Sequence, residues 1–149
     1  MKLMVVGSGA REHALAWRLS RSPQVEQVFC LPGNAGTAAC ATNLPGKVTD
    51  IPGVVQSARQ HEVSFVVVGP EDPLVNGMVD ALREAGIDAF GPDREGARLE
   101  ASKAFSKEFM ERHSVPTAGF RVFDDADSAE AYIREAARPL VVKADGLAA

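Results

Sequence analysis

Short unbroken apolar runs alternate along the chain with stretches whose apolar residues return every three or four positions. Residues 2–6 form one such run, ended by Gly7, and residues 27–31 a second, stopped by Pro32-Gly33. Residues 64–68 are the most apolar and end at Gly69-Pro70; residues 87–90 are closed by Gly91-Pro92. Runs this short, bounded by glycine and proline, read as strands covered on both faces. Between them, residues 11–20 place Ala14, Leu15, Trp17 and Leu19 at helical spacing. Residues 51–61 read as a helix with Asp50 as its cap and Pro52 in its first turn. Residues 74–85 put Leu74, Val75, Met78, Val79 and Leu82 on one face, and Gly86 follows as a stop. Residues 34–46 read as a turn-rich connection.

Buried strands alternating with helices predict an α/β fold: a parallel sheet with helices on both faces, Rossmann-like in kind. Right-handed crossovers place every strand's carboxyl end on one edge, where open α/β sheets bind ligands. The loops at 7–12, 32–37, 69–73 and 91–94 are therefore expected to lie together. The pattern changes near residue 100. Ser102 caps a helix over 103–113 with Phe105, Phe109 and Met110 on its inner face, and Val115-Pro116-Thr117 breaks it. Residues 120–123 read as a strand, 128–137 as a helix, and 140–143 as a buried strand that delivers Lys143 to a Gly146-containing turn. So few elements cannot bury a two-sided core. The expected organisation is a ligand-binding α/β domain over 1–100 and an incomplete second domain over 101–149.

Composition narrows the function. Of 149 residues, 46% are hydrophobic and 24% charged, which suits one domain with a proper core. The net charge is −4 and no basic block occurs, so no nucleic-acid partner is expected. The longest apolar runs, Leu3-Met4-Val5-Val6 and Phe65-Val66-Val67-Val68, are far too short to span a membrane. No charged segment followed by a long apolar one opens the chain, so no secretory signal is visible. Cys30 and Cys40 are then expected to be reduced, with Cys30 packed on a strand, in a cytoplasmic protein.

Chemistry concentrates in the loops. Gly7-Ser8-Gly9-Ala10-Arg11-Glu12 follows the first strand and opens the first helix, where a tight turn and a helix N-terminus attract an anion. It departs from the dinucleotide fingerprint twice. Glu12 stands where a third glycine belongs, and the second strand ends Cys30-Leu31-Pro32 without the acid that would hold a ribose diol. Arg11 is suited to clamp a phosphate. His13 reads as a helix-packing or solvent-facing residue. Pro32-Gly33-Asn34-Ala35-Gly36-Thr37 offers backbone to a polar ligand, or is a plain turn. In Gly69-Pro70-Glu71-Asp72-Pro73, Glu71 is read as a ligand for an amine or sugar hydroxyl. Asp72 is read as the cap of a helix starting at Pro73. Lys143, beside Ala144-Asp145-Gly146, suits a phosphate. No metal-ligand cluster and no nucleophile–base pair is present in the sequence: His13, His61 and His113 stand far apart.

Several stretches, taken together and in order, are similar to the phosphoribosylamine–glycine ligase (glycinamide ribonucleotide synthetase) family of the ATP-grasp superfamily. They are Val6-Gly7-Ser8-Gly9-Ala10-Arg11-Glu12-His13-Ala14-Leu15, Pro32-Gly33-Asn34-Ala35-Gly36-Thr37, Val68-Gly69-Pro70-Glu71-Asp72-Pro73-Leu74-Val75 and Phe90-Gly91-Pro92. Leu99-Glu100-Ala101-Ser102-Lys103-Ala104-Phe105, Pro116-Thr117-Ala118 and Lys143-Ala144-Asp145-Gly146-Leu147-Ala148-Ala149 continue the series. Ser8 and Ala10 stand where the family often has Asn and Gly. The resemblance implies joining of glycine to 5-phosphoribosylamine with ATP and Mg²⁺, through a glycyl phosphate, in purine synthesis. It implies that Gly9, Arg11, Glu12, Asn34 and Glu71 hold the phosphoribosylamine, and that Lys103 and Lys143 contact ATP phosphates. It places the Mg²⁺ ligands and the adenine site beyond Ala149, so this chain alone is expected to be inactive. A nucleotide-binding oxidoreductase domain and a non-catalytic interaction fragment are the alternatives from other classes, beside another ATP-grasp ligase of purine or carboxylation chemistry. Binding of NADH would favour the first, and a ligand edge that binds nothing small the second.

Overall fold

The computed structural model describes residues 1–147, and Ala148 and Ala149, the end of the glycine-rich stretch, lie outside the described residues. The chain divides into two compact units, Met1–Ala97 and Arg98–Ala149. In the first, β1 (Lys2–Gly7), α1 (Ala10–Leu19), β2 (Gln27–Pro32), a 3₁₀ turn (Thr37–Ala39) and β3 (Thr42–Asn43) are followed by α2 (Ile51–Gln60) and β4 (Phe65–Val68). Then come α3 (Glu71–Val75), α4 (Met78–Glu84) and β5 (Asp88–Phe90), and α5 (Arg94–Ala101) runs across the division. The strands form one sheet in the order β3-β2-β1-β4-β5, parallel throughout. This is the doubly wound α/β arrangement.

β1 is central, and its residues from Leu3 to Gly7 are buried because helices cover both faces. On one face Met4, Val6, Phe29, Leu31, Val66 and Val68 pack with Val54 and Ala58 of α2 and with Met78, Val79 and Leu82 of α4. On the other, Val5, Val28, Cys30 and Val67 pack with Ala16 of α1, joined by Leu15 and Leu19. Alternate residues of each strand serve opposite faces, which is why the runs are apolar at every position. Cys30 is fully buried on β2, and both thiols are free. Among the described residues, no helix is long and apolar enough to cross a membrane.

The structure differs from the sequence reading at several points. The helix expected over 74–85 is two helices, because Gly77 turns into the left-handed region at φ 86 between α3 and α4. α3 begins at Glu71, so Asp72 lies in its first turn and makes no side-chain cap bond at the N-cap Pro70. β3 and α5 are additional elements; β3 falls in the stretch read as a connection. Asp50 does cap α2, accepting from the Gly53 N–H at 3.2 Å.

In the second unit, α6 (Lys103–Arg112) is capped by Ser102, whose hydroxyl accepts from the Phe105 N–H at 3.0 Å. α7 (Ala126–Glu135) starts two residues earlier than expected, with Asp125 as its cap. Residues 120–123 and 140–143 are not strands. A strand is made by its partner, and the second unit has no paired strand among the described residues. Val141 and Val142 are therefore 83% and 72% exposed rather than buried, and Lys143 is exposed with them. None of the described residues after Ala97 is buried.

Candidate functional site

The strand order reverses direction between β1 and β4: from β1 the chain winds outward to β2 and β3, then returns to β4 on β1's other side. At such a switch point the loops leaving the two strands part, and the crevice between them is where α/β sheets take ligands. The helices that these loops open, α1 and α3, carry Arg11 and Glu71 in their first turns. The Arg11 guanidinium reaches across, with Nη1 and Nη2 donating to Glu71 Oε1 at 3.2 and 3.3 Å. Its Nε donates to Glu12 Oε1 at 3.1 Å. One cation is thus held between two carboxylates, one on each side of the switch point.

The two carboxylates differ in kind. Glu71 is 42% exposed at its side chain and faces the crevice rim. Its own backbone N–H first, and Arg11 second, hold its carboxyl below the ordinary glutamate range. Arg11 is in turn pushed up, chiefly by its bond to Glu71 and then by that to Glu12. Glu12 is only 3% exposed. It sits four residues before Ala16 and three before Leu15, in register with the core face of α1, so the helix carries it inward. Inside, Glu12 Oε2 accepts the Gly9 N–H at 2.6 Å, closing the first turn from its third position.

The second loop is tied to the first by Asn34. Its Nδ2 donates to the carbonyls of Ser8 and Gly9 at 2.8 and 3.2 Å, while its Oδ1 accepts the Thr37 N–H at 2.9 Å. Thr37 is wholly buried and its hydroxyl donates to Asn43 Oδ1 at 2.7 Å, so the loop has a satisfied polar centre. The His13 ring is half-buried against Gly36. After β5, Arg94 opens α5 and ties it to α3 and α4: its Nη2 donates to the Asn76 carbonyl at 2.8 Å and its N–H to Asp80 at 2.9 Å. All four loops expected at one edge are there.

Gly9, Arg11, Glu12, Asn34 and Glu71 are therefore brought together. Thr37 and Asn43, which hold the second loop, are functional in that sense and were not singled out from sequence. Thr37 stands three residues after Asn34, the spacing at which an Asn side chain caps a helical turn, and that was the available signal. In the second unit, Lys103 Nζ donates to the Gly146 carbonyl at 2.6 Å, so Lys103 lies against the glycine turn. Asp145 fixes that turn to the start of α6, accepting the Ala104 N–H at 3.1 Å and the Ser102 hydroxyl at 2.9 Å. Those two donors hold its carboxyl below the usual range. Lys143 is exposed beside the same turn. Among the described residues no group of three or more His, Cys, Asp or Glu is placed to hold a metal ion.

A parallel sheet with its polar loops collected at the switch point belongs to the ligand-binding class of α/β domains. Residues 1–100 match the family described as phosphoribosylglycinamide synthetase, N domain, and residues 101–149 match its ATP-grasp (A) domain. The chain belongs to the phosphoribosylglycinamide synthetase family. It is 54% identical to the phosphoribosylamine–glycine ligase of Allochromatium vinosum and 52% identical to that of Escherichia coli O157:H7, over all of this chain and 35% of either relative. It thus spans about a third of the length of the curated relatives it matches. The crystal structure of phosphoribosylamine–glycine ligase from Thermotoga maritima is 32% identical and superposes with a TM-score of 0.74 over 99% of this chain and 34% of that one. The biotin carboxylase domain of the Hydrogenobacter thermophilus 2-oxoglutarate carboxylase shares the fold, with a TM-score of 0.71 at 20% identity over 93% of this chain and 33% of that one.

Proposed function

We propose that the first unit holds 5-phosphoribosylamine at the β1–β4 switch point, as part of a longer cytoplasmic enzyme that joins it to glycine with ATP in purine synthesis. The observation that carries this reading is the Arg11 guanidinium spanning the two loops of the crevice. Arg11 takes the phosphate, because a planar fork of N–H donors matches phosphate oxygens and its pair with Glu71 is exposed and weak. Glu71, freed from Arg11 and ionised, accepts from the amine or a ribose hydroxyl. Gly9 lets the first loop lie close to the sugar, and Asn34 holds the second loop against it.

Bound with Mg²⁺, ATP supplies the phosphoryl group that activates the glycine carboxylate. A lysine beside a glycine turn fits the phosphates of that nucleotide, which assigns Lys103 and Lys143 to them. The donor set of the described residues offers Mg²⁺ no cluster of its own.

Equilibrium binding of ribose 5-phosphate, a stable analogue lacking the amine, tests the phosphate assignment. Arg11→Ala is expected to weaken it about tenfold or more, the range for removing a charged hydrogen-bond partner. Binding unchanged in Arg11→Ala would overturn the assignment.

A further inference from the structure

Glu12 and Thr37 are the buried polar or charged residues among those described, and Glu12 is the one that carries a formal charge. Burial of a carboxylate is unfavourable unless its oxygens are hydrogen-bonded. Both are: Oε2 takes the Gly9 N–H and Oε1 takes Arg11 Nε. The room for it is made by three missing side chains. A Cβ at Gly7 would lie 2.5 Å from Glu12 Cγ, one at Gly9 2.8 Å from Oε2, and one at Gly69 closer still to Oε1. Gly7 ends β1 and Gly9 lies in the loop after it, while Gly69 lies in the loop after β4. Glycines from both sides of the switch point therefore shape one slot, and the slot fits a carboxylate.

We propose that Glu12 is a positioning residue: from this slot it aims Arg11 into the crevice, and it does not itself touch the ligand. Holding Nε from behind turns the guanidinium so that Nη1 and Nη2 face Glu71 and, on the reading above, the phosphate that displaces it. The inference rests on that reading for the identity of the ligand, but not for the placement of Arg11. Glutamine cannot replace Glu12, because Gly9 N–H and Arg11 Nε meet different oxygens, and in glutamine one of those two positions is an NH₂ that donates and cannot accept.

The test uses the whole chain, with Glu12→Ala, Glu12→Gln and Arg11→Ala variants, and two readouts. The first is the side-chain Nε–H resonance of Arg11 in the ligand-free protein. It is expected to be sharp and protected from solvent exchange in wild type, and to lose that protection in Glu12→Gln. The second is affinity for ribose 5-phosphate. It is expected to fall about tenfold in Glu12→Ala, the cost of unpairing two donors. Added formate should restore it by refilling the slot, with no such rescue in Glu12→Gln, where the slot is full. A folded Glu12→Ala or Glu12→Gln protein that binds as wild type, or an Arg11 resonance unmoved by Glu12→Gln, would overturn the proposal. If Glu12→Ala does not fold, Glu12→Gln decides by the same criteria. If wild type itself binds no ribose 5-phosphate, the functional reading fails, and the Arg11 resonance alone decides the role of Glu12.

Discussion

Three charged side chains define the switch point, and their different burial gives them different work. Glu71 responds to pH. Its folded pKa is lowered, so its contribution is present above the unfolded value and is lost as pH falls through the folded one. The Arg11–Glu71 pair is therefore intact at neutral pH and opens only in acid. A titration of the Glu71 carboxyl ¹³C shift is expected to give a midpoint below the ordinary 4.5, rising in Arg11→Ala. A wild-type midpoint at or above 4.5 would contradict the pairing. Burial pushes the Cys30 thiol up to about 11, so alkylation at mildly alkaline pH is expected to reach the half-buried Cys40 first. Equal rates at the two thiols would argue against the packing of β2. Arg11 and Glu71 were legible in the sequence because each follows a glycine-ended apolar run, and parallel topology brings such positions to one edge. Glu12 was read as a titratable group crowding that edge, and the resemblance made it one of the residues that hold the phosphoribosylamine; the structure buries it. Its register with Leu15, Ala16 and Leu19 points instead to the core, but a carboxylate on an apolar face is an unlikely reading until its two donors are known.

Elements with their own local signal were read well, and those that depend on a distant partner were not. Buried strands β1, β2 and β4 announce themselves by unbroken apolar runs, and α2 by Asp50 and Pro52. β3 has two residues, too few to leave a periodic trace. Residues 120–123 and 140–143 have strand-like composition but no neighbour to pair with among the described residues, and β-propensity without a partner makes no strand. The α3–α4 break shows the opposite case. Leu74, Val75, Met78, Val79 and Leu82 keep a helical face straight through it, which masks the turn at Gly77. That turn also receives Arg94, and a Cβ at Gly77 would lie 2.8 Å from its Nη2. Gly77→Ala is expected to destabilise the fold by about 1–2 kcal/mol in urea denaturation, from the left-handed backbone and the displaced arginine. Asp50→Ala is expected to cost about 1 kcal/mol, as an N-cap that loses its bond to Gly53. No change in either variant would mean that these turns do not set the helix boundaries.

At the scale of the molecule, stability is concentrated in one of the two units. Among the described residues, every buried apolar side chain lies between Leu3 and Ala97, on the two faces of a single sheet. The second unit is held by caps, by the Asp145 and Lys103 bonds, and by half-buried aromatic contacts such as Phe105 with Phe109. Hydrogen exchange is expected to be slowest for the amides of β1, β2 and β4 and much faster throughout α6 and α7. Comparable protection in both units would show packing in the second that its exposed side chains do not suggest.

The central claim is that the β1–β4 crevice takes a sugar phosphate through Arg11, and an amide-shift titration with ribose 5-phosphate and, separately, NADH tests it most directly. The account predicts shifts at Gly9, Arg11, Asn34 and Glu71 with ribose 5-phosphate and none there with NADH. Shifts around Gly7 and Gly9 with NADH alone would contradict it and return the site to the dinucleotide-binding class.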